Sequence, residues 1–223
     1  MARRWRNHEY HEELNISTAF TDLMSNAFMI LILFLLLAMV RSFINNPEHQ
    51  NIQKEAKLTD TPPIIVIQDE GAYRFASGSA TIPPAMLSYI SQQIVPEIER
   101  RTEEYNINIV EIIGHTDGQP NGGLASNLDL HLENVALGVL PVEKLVAGSN
   151  ADLGLMRALA IVQVLRDIQV NEQRLQGLSF RAYSAAQLIL PSGEFASVAR
   201  GEDQTRRRIE IRFTRLGKVQ EVK

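Results

Sequence analysis

The chain has 223 residues, which suits one domain or at most two. Hydrophobic residues make up 45% and charged residues 22%, the balance of a folded protein, and the net charge of −4 lacks the basic footprint of a nucleic-acid binder. Cysteine is absent, which excludes disulfides, thiolate metal sites and cysteine nucleophiles.

Residues 1–18 carry Arg3, Arg4 and Arg6. Behind them runs "STAFTDLMSNAFMILILFLLLAMVRSF", in which every residue from Ala27 to Val40 is apolar. Ala19 to Val40 would span about 33 Å as a helix, enough for a bilayer core of about 30 Å. A transmembrane helix is therefore predicted over residues 19–43. The arginines ahead of it place residues 1–18 in the cytoplasm and the remainder outside. A cleaved signal peptide fits less well, because the apolar run is long and "LAMVRSF" is a poor cleavage site.

One turn before that run stands Asp22. On a helical wheel Thr18, Thr21, Asp22, Ser25, Asn26 and Met29 share one side. Two readings are open. Ser17 or Thr18 could cap a helix beginning there, with Asp22 favoured by its first turns. Alternatively, a carboxylate within the membrane gains and loses a proton as part of an ion path.

The segment "AFTDLMSNAFMILILFLLL" resembles the single membrane helix of ion-driven stator subunits, the flagellar MotB and PomB proteins and the related TolR, ExbD and ZorB proteins. Phe20, Thr21, Asp22, Leu23, Met24 and Ser25 match in order. The resemblance implies that Asp22 is the ion-carrying residue, with Thr21, Ser25 and Asn26 as neighbours on the ion pathway.

Residues 44–61 are polar, carry mixed charges and read as a linker. Residues 62–217 alternate strand and helix signals and form the predicted outer domain; 218–223 are a tail. "PIIVIQD" (63–69) is a β-branched run and a predicted strand. "YRFASGSATI" reads as a short strand and turn. A helix is predicted from Pro84, with Met86, Ile90, Ile94 and Ile98 on one stripe and a kink at Pro96. "INIVEIIGH" is a second strand. "SNADLGLMRALAIVQVLRD" is a second helix, capped by Ser149 with Asp152, whose buried face is Ala158, Ile161, Val162 and Leu165. "LSFRAYS" and "RRIEIRFTRL" close the pattern. The order β-α-β-α-β-β predicts an α+β sandwich with two helices on one sheet.

Little points to catalysis. The five histidines are scattered, no GxSxG elbow is present, and the glycines lack a phosphate-loop pattern. No metal, cofactor or catalytic residue is expected. Taken singly, Asp117 could cap a turn and Arg157 could lie on a solvated helix face.

Taken together, four ordered motifs resemble the OmpA-like peptidoglycan-binding module shared with MotB and the Pal lipoprotein. They are "FASGSATI", "IIGHTDGQ", "NADLGLMRALAIVQVL" and "RRRIEIRF". The resemblance implies that Asp117 and Arg157 hold the meso-diaminopimelate of the cell-wall stem peptide, with Asn150 and Leu153 lining the site. A carboxylate suits the ammonium of that zwitterion, and a guanidinium its carboxylate. The chain departs from the family in three places: an insertion over 118–149, Ser149 in place of a frequent tyrosine, and Arg206 with "AYSAAQLILP" in place of an asparagine and a glycine-rich turn. A second "SNLDL" at 126–130 echoes "SNADL", and Arg157 sets the register on Asn150.

The two halves imply a peptidoglycan-anchored subunit of an ion-driven rotary motor in the bacterial inner membrane, with the proton as the expected ion. The implied partners are a second copy of this chain, a pentameric multi-spanning MotA/ZorA-like ring and the peptidoglycan stem peptide. The short linker and the insertion favour a Zorya-type anti-phage defence motor. The alternatives are a flagellar stator subunit of MotB/PomB type and a passive membrane-to-wall tether without ion flow.

Overall fold

The computed structural model describes residues 6–44, 62–121, 123–198 and 200–217, with side chains of the first helix from residue 19 to 42. The expected linker beyond Ile44 and the tail 218–223 lie outside the described residues. The chain divides into two compact units, Met1–Ala56 and Lys57–Lys223.

The first unit is one helix, α1 (Arg6–Ile44, 39 residues). It contains an apolar stretch, Ala19–Ser42, of 24 residues with a mean hydropathy of 2.6 over its most apolar window, long enough to cross a membrane. Its start corrects one reading of the sequence. Ser17 and Thr18 do not cap it, because the helix has already run from Arg6. Residues 6–16 contain Arg, Glu and Leu, which favour helix, and no glycine or proline to stop it. Asp22 thus stands about four turns inside α1.

The second unit is α+β, with elements in the expected β-α-β-α-β-β order plus one extra helix. Its strands are β1 (Ile65–Gln68), β2 (Ile109–His115), β3 (Ser179–Ala186) and β4 (Arg208–Thr214), arranged β1-β4-β2-β3. β4 is antiparallel to both neighbours, and β2 and β3 are parallel. A parallel pair needs a long crossover. Here that crossover carries α3 (Leu128–Ala136) and α4 (Asn150–Asn171).

Helix α2 fills residues 84–104: α-helical over Pro84–Tyr89 and Val95–Glu104, with a π-turn, Ile90–Ile94, between. The Val95 N–H reaches back to the Ile90 carbonyl. This wider turn stands where the Pro96 ring would otherwise press on the preceding turn. The predicted stripe Met86, Ile90, Ile94 and Ile98 is buried, as are Ala158, Ile161, Val162 and Leu165 of α4. Both stripes meet Ile65, Ile67, Val110, Ile112, Ile209, Ile211 and Phe213 of the sheet in one core.

Two segments differ from expectation. Residues 70–83 contain no strand; a 3-10 turn, Gly71–Tyr73, is followed by a loop. Its backbone is held by side chains instead of a ladder, as described below. The insertion is folded: α3 and a 3-10 turn, Val142–Lys144, pack Leu128, Val135, Val142 and Leu145 against Leu153, Met156 and Leu159 of α4. Gln163 and Arg166 of α4 donate to the carbonyls of Val135, Leu140 and Ala136, closing the C-terminal end of α3.

Candidate functional site

The site forms where the end of β2 meets the start of α4. Gly114 on β2 and Gly154 on α4 touch backbone to backbone, and a β-carbon on either would clash. Their absence of side chains lets the helix lie directly on the strand. Ser149 caps α4, its hydroxyl accepting from the Asp152 N–H at 3.2 Å. Asp152 reaches back to the Gly148 N–H at 2.9 Å, one residue short of the reciprocal bond of a full capping box.

This contact brings Asp117, Asn150, Leu153 and Arg157 to one cavity of about 90 Å3, together with Asp69, Phe75, Thr116 and Arg207. Such a volume is well below the roughly 300 Å3 of a drug-sized site and suits the charged end of a small molecule.

Arg157 does not lie on a solvated face; it is only 4% exposed. Its Nη1 donates to Asp69 Oδ2 at 3.0 Å, its Nε to the Ser79 carbonyl at 3.1 Å and its Nη2 to the Ala76 carbonyl at 3.4 Å. Its guanidinium also stands 4.8 Å from the centre of the Phe75 ring. The loop "FASGSATI" therefore wraps around this cation, which is why it forms no strand. Gly78, at φ +67°, makes the turn. Burial pulls the Arg157 guanidinium below its usual pKa, and Asp69 opposes that shift.

Asp117 does cap a turn, accepting the Gln119 N–H at 3.1 Å. Its other oxygen accepts from Arg207 Nη1 at 3.3 Å and from the Asp203 N–H at 3.4 Å. Arg207 Nε stands 3.8 Å from Asp69 Oδ2. The four charges alternate as Arg157, Asp69, Arg207, Asp117. Asp69 is further fixed by the Phe75 N–H at 2.6 Å. Arg207 Nη1 also donates to Glu202 Oε1 at 3.3 Å, and Arg74 lines the cavity too, so both signs of charge face a ligand there.

Capacity for such a ligand remains. Among the described residues, Arg207 Nε and Nη2 and Thr116 Oγ1 are buried without a hydrogen-bond partner. Both residues line the cavity. Buried polar atoms are normally satisfied, so these mark where a ligand or water belongs.

Asn150 lines the cavity but spends its amide on the chain: Nδ2 donates to the carbonyls of Asp117 (3.3 Å) and Gln119 (2.8 Å). It positions the loop carrying Asp117. Asn127 of the echoing motif instead bonds to the backbone of Lys144 and Val146 within the insertion. Among the described residues of the insertion, only Gln119, Pro120 and Asn121 line the cavity, and none of its helix does.

Sequence reasoning missed Asp69 and Arg207. Asp69 ends the first predicted strand, and Arg207 lies in the motif "RRRIEIRF", but a run of three arginines resembles a solvated patch. Here Arg206, Arg207 and Arg208 are all buried.

Asp22, Thr21, Ser25 and Asn26 all belong to α1, where each is exposed. Regular helix geometry keeps them on adjoining positions of one side.

No family model and no curated protein matches this sequence. Among solved structures, the chain is similar to a MotB-like protein from Desulfovibrio vulgaris, with 13% identity, a TM-score of 0.39 and coverage of 69% of this chain and 75% of that one. It is also similar to the cell wall anchor of the type VI secretion system from Pseudomonas aeruginosa, with 19% identity, a TM-score of 0.35 and coverage of 67% and 80%.

Proposed function

We propose that this protein is a peptidoglycan-anchored subunit of an ion-driven rotary motor in a bacterial inner membrane, of the Zorya defence type. One observation carries the reading. The chain joins an apolar helix with an internal carboxylate to a cavity whose alternating Asp and Arg side chains suit a zwitterion.

Each half has a physical role. The exposed Asp22 is costly in lipid, so it faces a protein partner or water. A helix end would excuse it, but α1 begins four turns earlier. A pentameric MotA/ZorA-like ring around two copies of this chain would supply the polar surface, and proton transfer through Asp22 would turn one against the other. Residues 1–18 lie in the cytoplasm and the folded domain in the periplasm. There Asp117 receives the ammonium of the stem peptide's diaminopimelate, and Arg207 and Arg157 receive its carboxylate. No bond is made or broken: the domain holds the wall and does not catalyse.

The test is to purify the full-length protein from its host in mild detergent and measure what accompanies it. Two copies within five of a multi-spanning partner support the motor, and the partner's own sequence separates a defence motor from a flagellar one. A bare dimer overturns the motor in favour of a passive tether.

A further inference from the structure

The stem-peptide reading uses only the smaller of two adjoining hollows. A second, of about 370 Å3, opens beside the first, and Pro120, Asn121 and Asn150 line both. This larger one is within the size range of small-molecule sites.

Its outer wall is a hairpin that follows β3. Ile189 and Phe195 pair antiparallel, the Leu190 N–H donates to the Glu194 carbonyl at 2.9 Å, and the Ala196 N–H to the Leu188 carbonyl at 2.7 Å. Two buried cations fix the hairpin from beneath. Arg206 donates to the Gln187 carbonyl, and Arg208 to the carbonyls of Ile189 (3.4 Å) and Leu190 (3.2 Å). Charge-assisted bonds to three carbonyls of its first strand hold this wall in place.

The lining has a definite chemistry. Gln187 and Ser197 offer an amide and a hydroxyl, Leu188 an apolar surface, and Arg200 is the one ionised side chain among the lining residues. Among the described residues, no carboxylate and no aromatic ring lines it. A sugar would be expected to seek an aromatic face; an acidic peptide would seek a cation and amide partners.

We propose that this second hollow binds the acidic, amide-linked peptide segment that adjoins the diamino acid in the stem. Arg200 pairs with a free carboxylate of that segment, and Gln187 and Ser197 bond its amide groups. The inference rests on the stem-peptide reading of the first hollow. It makes Gln187 and Leu188, which lie in the stretch "AYSAAQLILP" where the chain departs from the OmpA-like pattern, determinants of which stem is held.

The test uses the full-length protein in detergent and calorimetric titration with three probes: free meso-diaminopimelate, the stem tripeptide containing it, and the same tripeptide on its disaccharide. The tripeptide is expected to bind about tenfold more tightly than the free diamino acid, the scale of one charge-assisted contact. Arg200→Ala and Gln187→Ala should remove that gain and leave binding of the free diamino acid unchanged. Equal affinity for the two smaller probes, or a gain that survives both substitutions, overturns the second subsite alone. A gain that appears only with the disaccharide overturns it in favour of a sugar site. If no probe binds, the stem-peptide reading itself fails, and this inference with it.

Discussion

Gly114 of β2 and Gly154 of α4 meet with no side chain between them, and a β-carbon on Gly114 would overlap the Gly154 carbonyl group. The obstacle is backbone, which cannot swing aside. Gly114→Ala is therefore expected to push α4 off the strand, lowering stability by about 1–3 kcal/mol. It should also separate Asp117 from Arg157, since one follows β2 directly and the other rides on α4. Gly154→Ala meets the Ser184 hydroxyl as well as the Gly114 carbonyl. Thermal melts of both variants, with binding of purified wall sacculi, check this. A melt unchanged in Gly114→Ala would refute the close-contact account.

The buried pair Arg157–Asp69 predicts an asymmetry. Arg157→Ala leaves Asp69 buried beside a hole, with the Ser79 and Ala76 carbonyls unbonded, a loss of about 3–5 kcal/mol. Arg157→Lys keeps a positive charge but cannot reach three acceptors at once. It should retain more of the stability yet lose wall binding. Comparing the two in chemical unfolding and in sacculus pull-down separates the structural role of Arg157 from its binding role.

Much of this was legible from periodicity. The stripes at Met86, Ile90, Ile94 and Ile98 and at Ala158, Ile161, Val162 and Leu165 mark core faces because burial follows the helical repeat. The cap at Ser149 was legible because it is local. Asp69 and Arg207 were not, because their partners lie across the sheet and no spacing rule links them. The strand expected in "YRFASGSATI" is a loop for a related reason. Its backbone acceptors bond to Arg157, far away in sequence. The helix inside the insertion was not legible because its nine residues, with Leu128 and Val135 buried, are too few to show a helical repeat.

Asp117 can be tested with little disturbance of shape. Asp117→Asn keeps the volume and an oxygen for the Gln119 N–H, but removes the negative charge facing Arg207 and the expected ammonium. Affinity for meso-diaminopimelate should fall at least about tenfold. Arg207→Met, which removes the unpartnered Nε and Nη2, should fall similarly. Titration calorimetry measures both, and the circular dichroism melt reports whether the fold survives.

Acid should weaken the domain, chiefly through its two most strongly depressed carboxyls. The His115 ring first, then the Arg212 and Arg208 guanidiniums, hold Glu210 far below the usual range, against the effect of its burial. Arg100 and Arg101 lower Glu97 to about 2. A carboxyl with a depressed folded pKa stabilises fully above its unfolded value, near 4.5, and loses that contribution as pH falls toward the folded one. Melting temperature should therefore hold above about pH 5 and drop between about pH 4.5 and 2. Glu210→Gln should flatten part of that drop and lower stability at neutral pH. An identical acid slope in the variant would show that Glu210 is not linked to folding.

Asp22 decides whether the helix works or merely anchors. It lies inside α1, as the fourth residue of the apolar stretch Ala19–Ser42 rather than at the helix's own start. A carboxylate that only ended a helix could become an amide at little expense, since asparagine caps as well as aspartate. A carboxylate that carries protons could not, because asparagine does not titrate. Asp22→Asn is thus expected to leave the protein's level, membrane insertion and wall binding unchanged while abolishing proton flux. Asp22→Glu should keep part of that flux, and Asn26→Ala, which removes a polar neighbour that cannot titrate, should reduce it without abolishing it. Proton uptake into vesicles holding the protein with its copurifying membrane partner measures all three. Full flux in Asp22→Asn would sink the motor reading and leave a wall tether.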